Sequence, residues 1–141
     1  MSRRIIGTRI VGAAIRNGVR ALPVSTISAA PADYDEAALV EPKNPDVADA
    51  RAWAWATCPD ARFRDGKRAL ETAESLCKSQ ENNPRYTATL AASCAEVDDF
   101  DAAVRRQTQS NTLETDEEER AEGEARLMLH RGGKPFRDDT P

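Results

Sequence analysis

No stretch of the chain alternates apolar and polar residues with period two, so no strand is predicted. From residue 44 onward, helix start and stop signals come at regular intervals. Asn44-Pro45 opens a helix, Asn capping free amides and Pro sitting at the first helical position, where it loses no bond. That helix runs from Pro45 to Thr57 and is stopped by Cys58-Pro59. Asp60 to Asp65 is polar and helix-poor, and a second helix follows from Gly66 to Ser79. Asn83-Pro84 repeats the start signal for a third helix, Arg85 to Val97, which gives way at Asp98-Asp99 to a fourth from Phe100 to Leu113. Thr115 with Glu118 forms a capping box for a fifth helix that reaches His130. Its acids Asp116 to Glu119 lie at the start and Arg126 and Arg131 near the end, as the helix dipole favours. Gly132 and Gly133 end it, and Pro135 prevents its resumption.

Equivalent positions recur at a fixed spacing of 34: Asp65 with Asp99, Ala69 with Ala103, Leu70 with Val104, and Trp53 with Thr87. Leu90-Ala91 followed by Asp99-Phe100-Asp101-Ala102-Ala103-Val104 is the strongest stretch. Small Ala91 and Ala103 let two helices approach closely, and Leu90 and Phe100 fill the space between them. This period and motif resemble the tetratricopeptide repeat. Residues 53 to 137 further resemble the C-terminal repeat module of bacterial tetratricopeptide proteins. Trp55-Ala56-Thr57-Cys58-Pro59-Asp60, Arg64-Asp65-Gly66-Lys67-Arg68-Ala69, the second repeat and a closing Gly133-Lys134-Pro135-Phe136 follow in that module's order. The chain departs from the pattern at Cys94, where the family usually has Tyr, and at Asp98, where it has Gly. Gln107, Ser110 and Asn111 stand where apolar or small residues would bury the second helix.

The resemblance implies an all-α fold of antiparallel helix hairpins stacked as a short right-handed solenoid, closed by a capping helix. Residues 44 to 137 form this domain, and 138 to 141 a tail. The implied function is non-catalytic protein–protein interaction, a peptide or helix binding on the concave face lined by the first helix of each hairpin. Leu90, Ala91, Phe100, Ala103 and Ala69 are the packing residues. With Leu90 and Ala91 turned inward, the groove would be lined by Ala88, Ala92, Ala95 and Glu96, with Arg85 at its rim. Tetratricopeptide proteins that grip a chaperone's C-terminal carboxylate use Lys and Asn at such positions. Ala88 and Ala92 do not supply them, so that ligand is not expected.

Before the domain lies a different kind of chain. On a wheel of about 100° per residue, Arg9, Arg16 and Arg20 share a narrow sector, and Ile10, Val11, Ala14, Ile15 and Leu22 gather opposite. Residues 1 to 32 hold five Arg and no acid, the pattern of an organellar targeting segment or of a basic amphipathic helix on an anionic membrane surface. Gly7, Gly12 and Gly18 weaken any free helix there. Residues 33 to 43 continue a Pro-containing linker without sustained period.

Charge divides the chain at the same place. Of 20 Lys and Arg, 15 remain after residue 32 to face all 24 acids, a net charge of −9, which excludes the body from nucleic-acid binding. At 141 residues with 40% hydrophobic content, much of it Ala, the chain allows one small domain with a thin core. No apolar run approaches the roughly 18 to 20 residues that cross a bilayer. Cys58, Cys77 and Cys94 lack the close pairing of a zinc site, and their odd number argues against a disulfide framework. Cys77 and Cys94 read as small buried residues, and His130 as a solvated helix-end residue with no group to orient it. Trp53 and Trp55, two apart on a helix, cannot share a face: one belongs to the core, the other under a neighbouring helix or a partner. No phosphate loop, paired carboxylates or metal cluster is found, so no cofactor, metal or catalytic residue is expected. The expected partner is another protein, or a second copy through an open solenoid end. Two alternatives stand beside this reading: a C-terminal fragment of a larger signalling or enzyme chain, and a small membrane-associated or organelle-targeted protein acting through residues 1 to 32. A cytoplasmic location is favoured over organellar import or membrane-surface association.

Overall fold

A computed structural model describes residues 43–139; the amphipathic or targeting segment expected over residues 1 to 32 and nearly all of the linker lie outside them. Among the described residues the protein is all-helical: α1 (Pro45–Thr57), a 3-10 turn (Ala61–Phe63), α2 (Gly66–Ser79), α3 (Pro84–Glu96), α4 (Phe100–Leu113) and α5 (Glu117–Arg131). Each helix begins on an Asn or Asp whose side chain accepts from first-turn amides. Asn44 Oδ1 takes the Asp46 amide at 2.9 Å and Asn83 Oδ1 takes the Arg85 amide at 3.0 Å. Asp65, Asp99 and Asp116 cap α2, α4 and α5 in the same way. Such caps each contribute about 0.5 to 2 kcal/mol.

The bounds of two helices, α3 and α5, differ from the sequence reading. α3 starts at Pro84 itself and ends at Glu96, because Val97 already leaves helical geometry as the C-cap. α5 is capped by Asp116 rather than Thr115. The Glu114 carboxylate accepts from the Thr115 and Asp116 amides at 3.0 and 3.1 Å, and Asp116 Oδ1 accepts from the Glu119 amide at 3.0 Å. The helix therefore enters one position later than the Thr115 capping box implies.

Each helix packs on the next, and α1 also packs on α3. α3 is the central element, buried on every side from Tyr86 through Ala95, as a helix surrounded by others must be. Its small side chains let neighbours come close. Leu90, Cys94 and Ala95 pack with Ala73 of α2 and with Ala102 and Ala103 of α4, flanked by Leu70, Cys77 and Phe100. A second cluster joins Trp53 and Ala56 of α1, Ala69 of α2 and Ala92 of α3, with Trp55 and Phe136 against it. Of the packing residues named from sequence, Ala69, Ala91 and Ala103 are fully buried, Leu90 is nearly so, and Phe100 is half-buried.

The polar departures on α4 form a buried network. Gln107 is fully enclosed and donates from Nε2 to Asn111 Oδ1 at 2.9 Å, and Ser110 Oγ donates to the Pro84 carbonyl at 2.7 Å. Arg126 of α5 donates from Nε to Gln107 Oε1 at 3.4 Å. Gly123 makes room for this network, since a Cβ there would lie 2.0 Å from Asn111 Oδ1.

Candidate functional site

α1, α3 and α5, with the end of α4, surround a cavity of about 240 Å³. Asp49 and Trp53 line it from α1, Arg85 and Ala88 from α3, Asn111 from α4 and Arg126 from α5, with Glu119 near the start of α5. Its wall mixes donors and acceptors. Arg85 Nη2 donates to Asp46 Oδ1 at 2.6 Å, and Arg85 Nε lies 3.7 Å from Asp49 Oδ2. Asp46 also accepts from the Tyr86 hydroxyl at 3.1 Å; burial, then the nearby Asp46 carboxylate, push that phenol up to about 12.

Arg126 is 4% exposed, and its guanidinium lies 5.7 Å from the ring centroids of both Trp53 and Phe136. The two aromatic rings stabilise a charge that burial disfavours. Burial pulls this guanidinium below its ordinary range, opposed by Glu122, Glu119, Asp138 and Glu114. Arg126 Nη1 and Asn111 Nδ2 are enclosed and have no hydrogen-bond partner among the described residues. A buried donor left in this state costs about 1 to 3 kcal/mol.

Beside the cavity, the chain after α5 folds back across α1. Gly133, at φ 71°, turns the backbone, and the Lys134 amide bonds the Leu129 carbonyl at 2.9 Å. Phe136 then packs on Trp53, with ring centroids 5.7 Å apart and planes tilted by 48°. Arg137 Nη1 pairs with Glu96 Oε1 at 2.7 Å, and Glu96 also receives Arg64 Nε at 3.2 Å. Asp138 closes the segment: the Trp53 indole N–H donates to its Oδ2 at 2.7 Å, and its own amide donates to the Thr57 carbonyl at 2.8 Å. Asp138, placed in a tail by the sequence reading, is thus bonded to the helical body.

The groove residues expected from sequence divide accordingly. Ala88 and Arg85 line the cavity, and Ala88 is 5% exposed. Ala92 packs under Trp53 and Phe136, and Ala95 belongs to the cluster toward α2 and α4, so neither presents an open surface. Glu96 lies at the end of α3 under the returning segment, held by Arg64 and Arg137.

His130 is not a solvated helix-end residue: it is 1% exposed, covered where the chain returns, with Nδ1 3.3 Å from the Lys134 carbonyl. A carbonyl only accepts, so Nδ1 is the donor in that contact. Burial lowers its pKa, the Lys134 carbonyl opposes this, and the Arg126 charge adds to the lowering. Trp53 is core, and Trp55 is half-buried beneath the guanidinium groups of Arg51 and Arg68 at 4.8 and 5.7 Å. Cys58 is buried. Cys94 is buried and Cys77 half-buried; burial pushes the Cys94 thiol up to about 11 and raises Cys77 as well. Among the described residues no three His, Cys, Asp or Glu side chains gather as metal ligands, and no helix is long and apolar enough to cross a membrane.

Sequence reasoning missed Asp49, Asn111, Arg126 and Asp138 as members of this face. The one available signal was the set of polar residues at repeat positions that ought to be apolar, with Gly123 mid-helix opposite them. Compared with family models, curated proteins and solved structures, the chain matches none.

Proposed function

We propose that the chain is a non-catalytic protein–protein interaction module of the tetratricopeptide type, binding an extended peptide on the face between α1, α3 and α5. The repeat spacing of 34 and the packing of α1 on both α2 and α3 support this reading. The observation that carries it is the cavity itself. Its wall offers enclosed donors on Asn111 and Arg126, and the carboxylates of Asp49 and Glu119 line it as well. A peptide main chain carries both kinds of group at close spacing and matches such a wall without needing net charge. A single-sign ligand would meet carboxylates and guanidinium groups together.

Panning a phage-displayed random peptide library on the purified chain tests the proposal. Enriched peptides should shift the amide resonances of Ala88 and Asn111, and Asn111→Ala should weaken them roughly 5- to 100-fold, the equivalent of one charged or buried hydrogen bond. Peptides that map instead to the outward faces of α2 and α4, or no enrichment at all, would overturn it.

A further inference from the structure

The segment from Lys134 to Asp138 has no regular secondary structure, yet each of its last three residues bonds or packs against the body. Phe136 meets Trp53 and the Arg126 guanidinium that lies equidistant from both rings. Arg137 meets the Glu96 carboxylate and the Ala56 carbonyl, the latter at 3.4 Å. Asp138 meets the Trp53 indole, a donor with no acceptor capacity, and its amide bonds the free end of α1 at Thr57. Aromatic, basic and acidic side chains are thus each engaged, Trp53 serving both Phe136 and Asp138, and a main-chain hydrogen bond from Asp138 to Thr57 anchors the end of the segment. That is how an extended peptide is bound by a groove. Gly132 and Gly133 precede the segment, and Gly133, at φ 71°, turns it back toward α1 with open space around it.

We infer that residues 134–138 are a resident ligand of this face, and that the partner is an extended protein segment of aromatic–basic–acidic sequence that displaces them. The inference rests on the peptide-binding reading above and names its ligand class. Tethered at α5, the chain's own segment acts at a high effective concentration and holds the subsite against weak competitors. A partner carrying the same three residues, and extending into the neighbouring cavity, gains contacts that the resident segment lacks. The Trp53 subsite and the cavity share Trp53 and Arg126, so occupation of one adjoins the other.

The probe is a synthetic peptide with the sequence of residues 133–139, added to the full-length chain and followed through the Trp53 indole N–H resonance. The full-length chain carrying Phe136→Ala and Asp138→Ala should bind it saturably and at least about tenfold more tightly than the parent, whose own segment competes. The same peptide with Phe replaced by Ala should not bind. A variant that keeps its helical circular dichroism but shows no binding at millimolar peptide would overturn the inference and leave the segment a structural closure. If the double variant does not fold, the parent decides. Excess peptide should move the chain's own Phe136 resonances to their free positions, and Phe136 that stays docked at saturating peptide counts against displacement. Failure here, with library peptides still shifting Ala88 and Asn111, leaves the cavity reading intact; loss of both removes the binding face altogether.

Discussion

Asp98 adopts φ 65°, the left-handed region that L side chains other than Asn and Asp rarely enter. It does so to end α3. Its amide bonds the Ala95 carbonyl at 3.1 Å and the Asp99 amide bonds the Cys94 carbonyl at 2.9 Å, so the last carbonyls of the helix are satisfied. α5 ends by the same pair of bonds, Gly133 to His130 and Lys134 to Leu129, with glycine in the left-handed position. Asp98→Gly should therefore stabilise the fold by about 0.5 to 1 kcal/mol, read as a rise of a few degrees in the thermal midpoint; a lower midpoint would refute the strain. His130 sets a second expectation at this scale. Its ring is neutral and buried, with a folded-state pKa below the unfolded value of 6.5, so the unfolded chain binds more protons across that interval. Stability is then complete above 6.5 and falls as pH drops below it. The midpoint should decline as pH falls below about 6.5, and His130→Phe should flatten that slope. An unchanged slope would assign the effect to other groups.

The helices were largely legible in the sequence because their ends are local chemistry. Asn44 and Asn83 before Pro, and Asp65 and Asp99 before small or apolar residues, cap wherever they stand. Asp116 escaped because the Glu114 carboxylate takes the Thr115 amide that Glu118 would accept in a capping box, and that contest depends on rotamers rather than residue types. Which face of a helix is covered is not local. Ala92 and Ala95 read as groove residues because nothing in the sequence says that Phe136 returns across α1 or how closely α2 and α4 flank α3. The close crossing of α3 and α4 gives the prediction at this scale. Ala103 is fully buried against Leu90, Cys94 and Ala95, with Ala73 in the same cluster. Ala103→Leu should overpack it and cost about 1 to 3 kcal/mol. A melt that coincides with the parent's would show the crossing is looser than these contacts imply.

A stack of helices in which each touches mainly its neighbours unfolds readily from its ends, because a terminal unit loses contacts on one side only. Here the two ends of the described body are joined. Trp53 of α1 and Asp138 are bonded at 2.7 Å across 85 positions of sequence, and Phe136 and Arg137 add contacts to α1 and the end of α3. The joint holds α1 to the far end, so α1 should not unfold ahead of the rest. Both tryptophans lie on α1, which makes intrinsic fluorescence a probe of that helix alone, whereas far-ultraviolet circular dichroism reports every helix. In the parent chain the two signals should trace one urea transition. In Phe136→Ala the stack opens at the joint, and fluorescence should lead circular dichroism to lower urea. A double-mutant cycle between Trp53→Phe and Asp138→Ala should return a coupling of about 1.5 kcal/mol, the lower end for a hydrogen bond to a charged group because Asp138 is only half-buried. Coincident transitions in the Phe136→Ala chain, or a coupling near zero, would mean that α1 is held by α2 and α3 alone and that the returning segment rides on a body already closed without it.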